Sequence, residues 1–215
     1  MNYIDENNFN TLFPIEFRKE VETNLCKIAN TEKSKQFFGN NLKDFNLRWR
    51  GQESQNFNND IEIMGDIWIS NIYTLDFITK FLDKDSVILD FCSGMGQMVV
   101  YLNKIGYNNV YGYDNFSQIE EEKVLSFLKI YDLEDRMISL SEVKNKKYDL
   151  VINSDYLIRS PILDLDCRYI IPCYRSIKLG QDRILKDFHI QRIFDDKGTE
   201  LRCAQEYETI MVLEK

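Results

Sequence analysis

The stretch "DSVILDFCSGMGQMVVYL", Asp85 to Leu102, decides the fold. Apolar, β-prone residues from Val87 to Leu89 run into the acid Asp90 and then Phe91. Gly94 and Gly96 follow at alternate positions, and a second apolar run begins at once. The pattern predicts a strand over Val87 to Phe91, a tight loop, and a helix over Gly96 to Ile105 closed by Gly106 as its C-terminal glycine. Glycines in such a loop allow a sharp bend and let a ligand approach the backbone without meeting a Cβ. The helix behind the loop presents free N–H groups at its start.

Outward from this stretch, strands and helices alternate. Further strands are expected at Asn109 to Tyr113, Arg136 to Leu140, Tyr148 to Asn153 and Arg168 to Tyr174. A helix between the second and third opens on Ser117 and Glu120, which have the spacing of a capping box. Its acidic first turn complements the positive end of the helix dipole. Near the C-terminus, Phe188 to Phe194 and Tyr207 to Leu213 read as strands with no helix between them, so they should pair antiparallel. The alternation predicts an α/β fold: a doubly wound, mostly parallel sheet of seven strands with an antiparallel last strand and helices on both faces.

Upstream, Pro14 stands where a helix can begin. Phe17, Val21, Leu25 and Ile28 then recur at helical spacing, as do Ile72, Leu75, Ile78 and Leu82. The polar run from Gly51 reads as a loop. Residues 1–66 are therefore expected to form an N-terminal helical cap, and residues 67–215 the α/β domain. Trp49, Arg50, Met64 and Trp68 lie in or beside this extension and receive no role.

The 215 residues carry a net charge of −8, with 44% hydrophobic and 29% charged residues. That balance is globular. Its sign repels phosphate backbones, which argues against nucleic acid as the partner. No leader peptide and no membrane-spanning run is apparent. The five cysteines are irregularly spaced and form no CxxC pair, so reduced thiols and a cytoplasmic location are expected, with no metal site.

In doubly wound sheets, ligands bind beyond the carboxyl ends of the strands, where the strand order reverses. Asp114 stands at the tip of the second strand, about 20 residues past the glycine loop. An acid so placed can accept hydrogen bonds from a ribose diol. A dinucleotide fingerprint wants a third small residue, but counting from Gly94 that position holds the β-branched Val99.

The stretch "VILDFCSGMG" resembles instead motif I of the class I S-adenosylmethionine-dependent methyltransferases, with Cys92 where the first glycine usually stands. "VYGYDNF" is similar to the second motif of that superfamily and "YDLVINSDYL" to its fourth. The terminal antiparallel pair resembles its reversed last strand. The resemblance spans roughly Ile67 to Lys215. It implies S-adenosylmethionine as cofactor and these roles. Asp90 orders the loop beside the cofactor's amino group. Phe91, Cys92, Ser93, Gly94 and Gly96 belong to the binding loop, with Cys92 and the two glycines lining the methionine end. Asp114 binds the ribose hydroxyls, and Asn115 or Phe116 flanks the adenine. Glu142 or Val143 meets the adenine edge, although "SLSEV" lacks the usual aspartate. Asn153 and Ser154 face the transferred methyl.

The sulfonium methyl is already activated, so the protein mainly has to hold a nucleophile in line with it. A base is needed only where that nucleophile must lose a proton. Asp155 in "NSDY" is the candidate to bind or deprotonate an acceptor, against a role as a helix cap. Relatives that methylate amino groups of nucleic acids or glutamine carry two prolines here, and this chain has neither. His189, the one histidine, reads as a half-buried strand residue. The expected activity is methyl transfer to an oxygen or nitrogen of a small-molecule acceptor. The rivals are a methyltransferase acting on nucleic acid or protein, a nicotinamide-dependent oxidoreductase, and a non-catalytic module that binds S-adenosylmethionine.

Overall fold

The computed structural model describes residues 11–29, 69–117, 119–153, 165–171, 189–194, 200–201 and 210–214. Helix α1 (Ile15–Ala29) starts directly after Pro14, whose ring presets the backbone for a first turn. Val21 and Leu25 are wholly buried, and Phe17 and Ile28 pack beside them, as their spacing predicts. Helix α2 (Ile69–Phe81) buries Leu75 and Ile78. Its last turn is closed by the Tyr107 hydroxyl, which donates to the carbonyls of Ile78 (2.9 Å) and Leu82 (3.2 Å).

Strand β1 (Ile88–Phe91) is buried along its whole length, as a central strand covered on both faces must be. Helix α3 (Gln97–Lys104) follows the glycine loop. It ends as expected at Gly106, φ 93°, where the amides of Gly106 and Tyr107 bond back to Asn103 and Leu102. Then come β2 (Val110–Tyr113) and α4 (Glu121–Lys129). Glu120 is the cap residue of α4 and makes no side-chain cap bond, so the helix does not start from a Ser117–Glu120 box.

The expected strand over Arg136 to Leu140 does not form. Residues Glu134–Arg136 make one 3₁₀ turn, Met137 bridges Gly112 once, and Leu140–Asn145 form a short helix, α5. The reason is local. Ser139 and Glu142 satisfy each other's backbone groups in a capping box, so the chain turns helical after a single bridge.

Strands β3 (Tyr148–Asn153) and β4 (Cys167–Ile171) complete a four-stranded parallel body in the order β2-β1-β3-β4. The sheet continues through β7 (Ile210–Glu214), β5 (His189–Phe194) and β6 (Glu200–Leu201). β7 runs against both β4 and β5. The C-terminal pair is thus antiparallel, as read, and a short reversed β6 on the far edge was not foreseen. The described sheet thus has seven strands, the number expected, but β6 is reversed as well as β7, and no strand stands where the third was placed.

The sheet separates two cores. One gathers Ile88, Val110, Leu150 and Ile152 with residues of α1, α2, α3 and α4. The other gathers Leu89, Phe91, Val151 and Ile170 with Val143 of α5. Phe13, Val21 and Leu25 join the first core directly, so the described part of the N-terminal extension packs on the sheet's own helices. The ends of several expected strands, and Trp49, Arg50, Met64 and Trp68, lie outside the described residues.

Candidate cofactor site

In the order β2-β1-β3, the chain leaves β1 toward one side and later returns to the other. That reversal marks where a doubly wound sheet binds its ligand. Register brings the three carboxyl ends level: Phe91 lies beside Tyr113 on one flank and beside Asn153 on the other.

The loop after β1 has left-handed backbone at every second residue: Cys92 at φ 64°, Gly94 at 57° and Gly96 at 81°. This alternation accounts for the spacing of the glycines. Cys92 takes the same conformation without being glycine, a strain of about 1 kcal/mol. The bend is braced from the neighbouring strand. Ser93 donates its amide to the Tyr113 carbonyl (3.0 Å), and Gly94 donates its amide to Asp114 Oδ2 (3.0 Å). Gly96 has a further steric reason: a Cβ there would lie 3.1 Å from the Leu128 side chain of α4.

Asp114 also organises its own loop. Its Oδ1 accepts from the Phe116 amide (2.8 Å), while Asn115 Oδ1 accepts from the Ser117 amide (3.0 Å). Phe116 is left-handed at φ 53° and packs partly against the first core. Asn115 is exposed. Below the acid, Gly112 leaves little room for a side chain: a Cβ would lie 2.6 Å from Met137 Sδ and 2.9 Å from Ser93 Oγ, so these side chains would have to shift.

The other expected residues are placed as follows. Asp90 is 2% exposed, directly beneath the loop. Phe91 packs into the second core and stacks near Tyr113, with ring centroids 4.8 Å apart, so its side chain serves packing. Asn153 is buried at the tip of β3. Ser154 and Asp155 lie outside the described residues. Glu142 and Val143 sit in α5 rather than in a turn after a strand. The Glu142 carboxylate accepts from the amide and the hydroxyl of Ser139, which holds it below the usual carboxylate range. Val143 is fully buried in the second core. His189 opens β5 opposite Glu214.

One further buried polar residue borders the loop. Gln97, the first residue of α3, is 4% exposed, and its side-chain oxygen has no hydrogen-bond partner among the described residues. The signal was available: a polar residue directly after the last loop glycine, opening an otherwise apolar turn.

No family model matches the chain, and no curated protein matches it. Solved structures do. The magnesium protoporphyrin IX methyltransferase of Synechocystis PCC 6803, solved with S-adenosylmethionine bound, is similar at TM-score 0.47 and 16% identity, over 90% of this chain and 95% of that one. The ribosomal protein L11 methylase of Lactobacillus delbrueckii subsp. bulgaricus is similar at 0.46 and 13%, over 74% and 80%. A tRNA (m1A22) methyltransferase of Streptococcus pneumoniae, itself so named provisionally, is similar at 0.42 and 11%, over 66% and 68%. Among the described residues, no helix is long and apolar enough to cross a membrane.

Proposed function

We propose that the chain is an S-adenosylmethionine-dependent methyltransferase acting on an oxygen or nitrogen of a small-molecule acceptor. The observation that carries this reading is the bond from the Gly94 amide to Asp114. It puts a left-handed loop and the carboxylate of the neighbouring strand at one place, at the sheet's reversal point. An adenosyl sulfonium needs both. The donor set fits the cofactor: an ionised carboxylate is an acceptor only, the partner that a ribose diol requires.

The bound cofactor supplies a methyl group on a positively charged sulfur, ready for displacement. This chain's residues do the holding. Cys92, Ser93, Gly94 and Gly96 cradle the methionine end, with Asp90 beneath them. Asp114 accepts from the ribose hydroxyls, and Asn115 or Phe116 borders the base. Glu142 and Val143 take no part in this binding, since a helix cap and the core occupy their side chains. Asn153 marks the acceptor's side of the site, and Asp155 follows two residues later as the candidate to orient or deprotonate it. Residues 1–66 form the cap and 67–215 the cofactor domain in this reading. The net charge of −8 supports a small acceptor over nucleic acid, and the scattered cysteines accord with a cytoplasmic setting.

Titration calorimetry with S-adenosylhomocysteine, the demethylated product, tests the reading. Micromolar binding is expected. Absence of heat at millimolar ligand overturns it.

A further inference from the structure

We propose that the side-chain carbonyl of Gln97 accepts a hydrogen bond from the ammonium group at the amino-acid end of the cofactor; this rests on the function proposed above. Gln97 is 4% exposed, and its Oε1 meets no donor among the described residues. A buried acceptor without a donor costs stability, and native proteins satisfy the great majority of such groups. Its position says which donor it awaits. Gln97 opens α3 immediately after Gly96, the last left-handed residue of the loop.

Four residues on, Tyr101 shares its helix face. Tyr101 meets Phe13 at 5.0 Å and Phe17 at 5.4 Å, so this face looks toward α1. Long helical side chains lean toward the helix N-terminus. Gln97 stands at the loop end of this face, directly after Gly96. The remaining residues of the first turns, Met98, Val99 and Val100, are buried and apolar.

The chemistry selects a zwitterion. The N-terminal end of α3 favours a negative group through its free amides and dipole. It disfavours a positive one unless an acceptor is supplied beside it. Gln97 supplies a neutral acceptor, and the buried carboxylate of Asp90 lies just below the same loop. An α-amino acid carries both charges on one carbon. Its carboxylate suits the helix amides and its ammonium suits Gln97.

The test measures binding of three ligands to the wild-type protein and to Gln97→Met and Gln97→Leu. S-adenosylhomocysteine carries both charged groups, its decarboxylated analogue carries the ammonium alone, and 5′-methylthioadenosine carries neither. Both variants should bind the first two about tenfold more weakly, the loss of one hydrogen bond to a charged group, and the third unchanged. Without ligand both should melt at higher temperature than wild type, since a buried acceptor without a donor has been removed. Equal weakening for all three ligands, or no weakening, overturns the proposal. So does weakening confined to S-adenosylhomocysteine, which would assign Gln97 to the carboxylate. A wild-type protein that binds none of the three refutes the proposed function itself, a result separate from the others.

Discussion

Asp114 Oδ2 accepts a 3.0 Å hydrogen bond from the amide of Gly94, across 20 residues of sequence. The other oxygen of the same carboxylate accepts from the Phe116 amide at 2.8 Å. One side chain thus fixes the loop after β1 and the loop after β2 together. Holding both halves of a site in place in advance reduces the ordering that a ligand must impose on binding.

Asp114→Ala should therefore act on folding as well as on binding. It leaves two part-buried amides without their acceptor, a loss of about 2 kcal/mol in urea unfolding. Affinity for S-adenosylhomocysteine should fall about a hundredfold, as a pair of charge-assisted bonds is lost. Asp114→Asn retains one acceptor and should lie between. Full stability in the alanine variant would mean that the carboxylate does not brace the loop.

The left-handed backbone at Cys92 makes a second prediction. Glycine takes φ 64° without the clash that a Cβ brings. Cys92→Gly should stabilise the protein by up to about 0.5 kcal/mol, the strain of about 1 kcal/mol relieved less the entropy gained by the unfolded chain. Cys92→Val should destabilise it, because a β-branched residue tolerates that region least. Guanidinium unfolding of the pair decides. Equal midpoints for glycine and valine would contradict the strain.

Gly112 offers a test of packing under the site. In Gly112→Ala the new methyl lies 2.6 Å from Met137 Sδ and 2.9 Å from Ser93 Oγ. Overpacking of this kind costs about 1–3 kcal/mol. Met137→Ala removes the nearer obstacle, so the double variant should lose less than the sum of the two single losses. Strict additivity would show that Met137 does not press on β2.

How far the sequence could be read depended on whether a signal was periodic or merely local. The apolar run into Asp90, the glycines beyond it and Gly106 were legible because each reports a backbone need: a central strand, left-handed bends, a helix end. The reversed β7 was legible because no helix could be found between the last two runs. The expected strand at Arg136 was not, because a few β-prone residues cannot show that Ser139 and Glu142 will cap each other and stop the ladder at one bridge. Asp114 stood out by its spacing, yet its bond to Gly94 did not, since that contact exists only once the strands are in register. Gln97 stood in view as a polar residue directly after the last loop glycine, but the burial of its oxygen without a partner among the described residues is a property of the packed fold.

The last prediction concerns alkali. Tyr107 donates to two carbonyls at the end of α2, and Tyr148 donates to the Val143 carbonyl at 3.2 Å. Burial pushes both phenols up to about 12, with Asp83 adding to the effect at Tyr107, and Tyr111 and Glu142 at Tyr148. In the unfolded chain both titrate near their ordinary value of about 10. Below that value both states hold the protons, and the stabilising bonds are fully present. Between about 10 and 12 the unfolded chain releases protons that the folded protein keeps, so stability falls as pH rises. The urea midpoint of the wild type should therefore drop between about pH 10 and about pH 12. Tyr107→Phe with Tyr148→Phe should start lower, having lost the hydroxyl bonds, and then fall less steeply, because two of the titrating groups are gone. Parallel slopes in the two proteins would show that these phenols do not couple folding to pH.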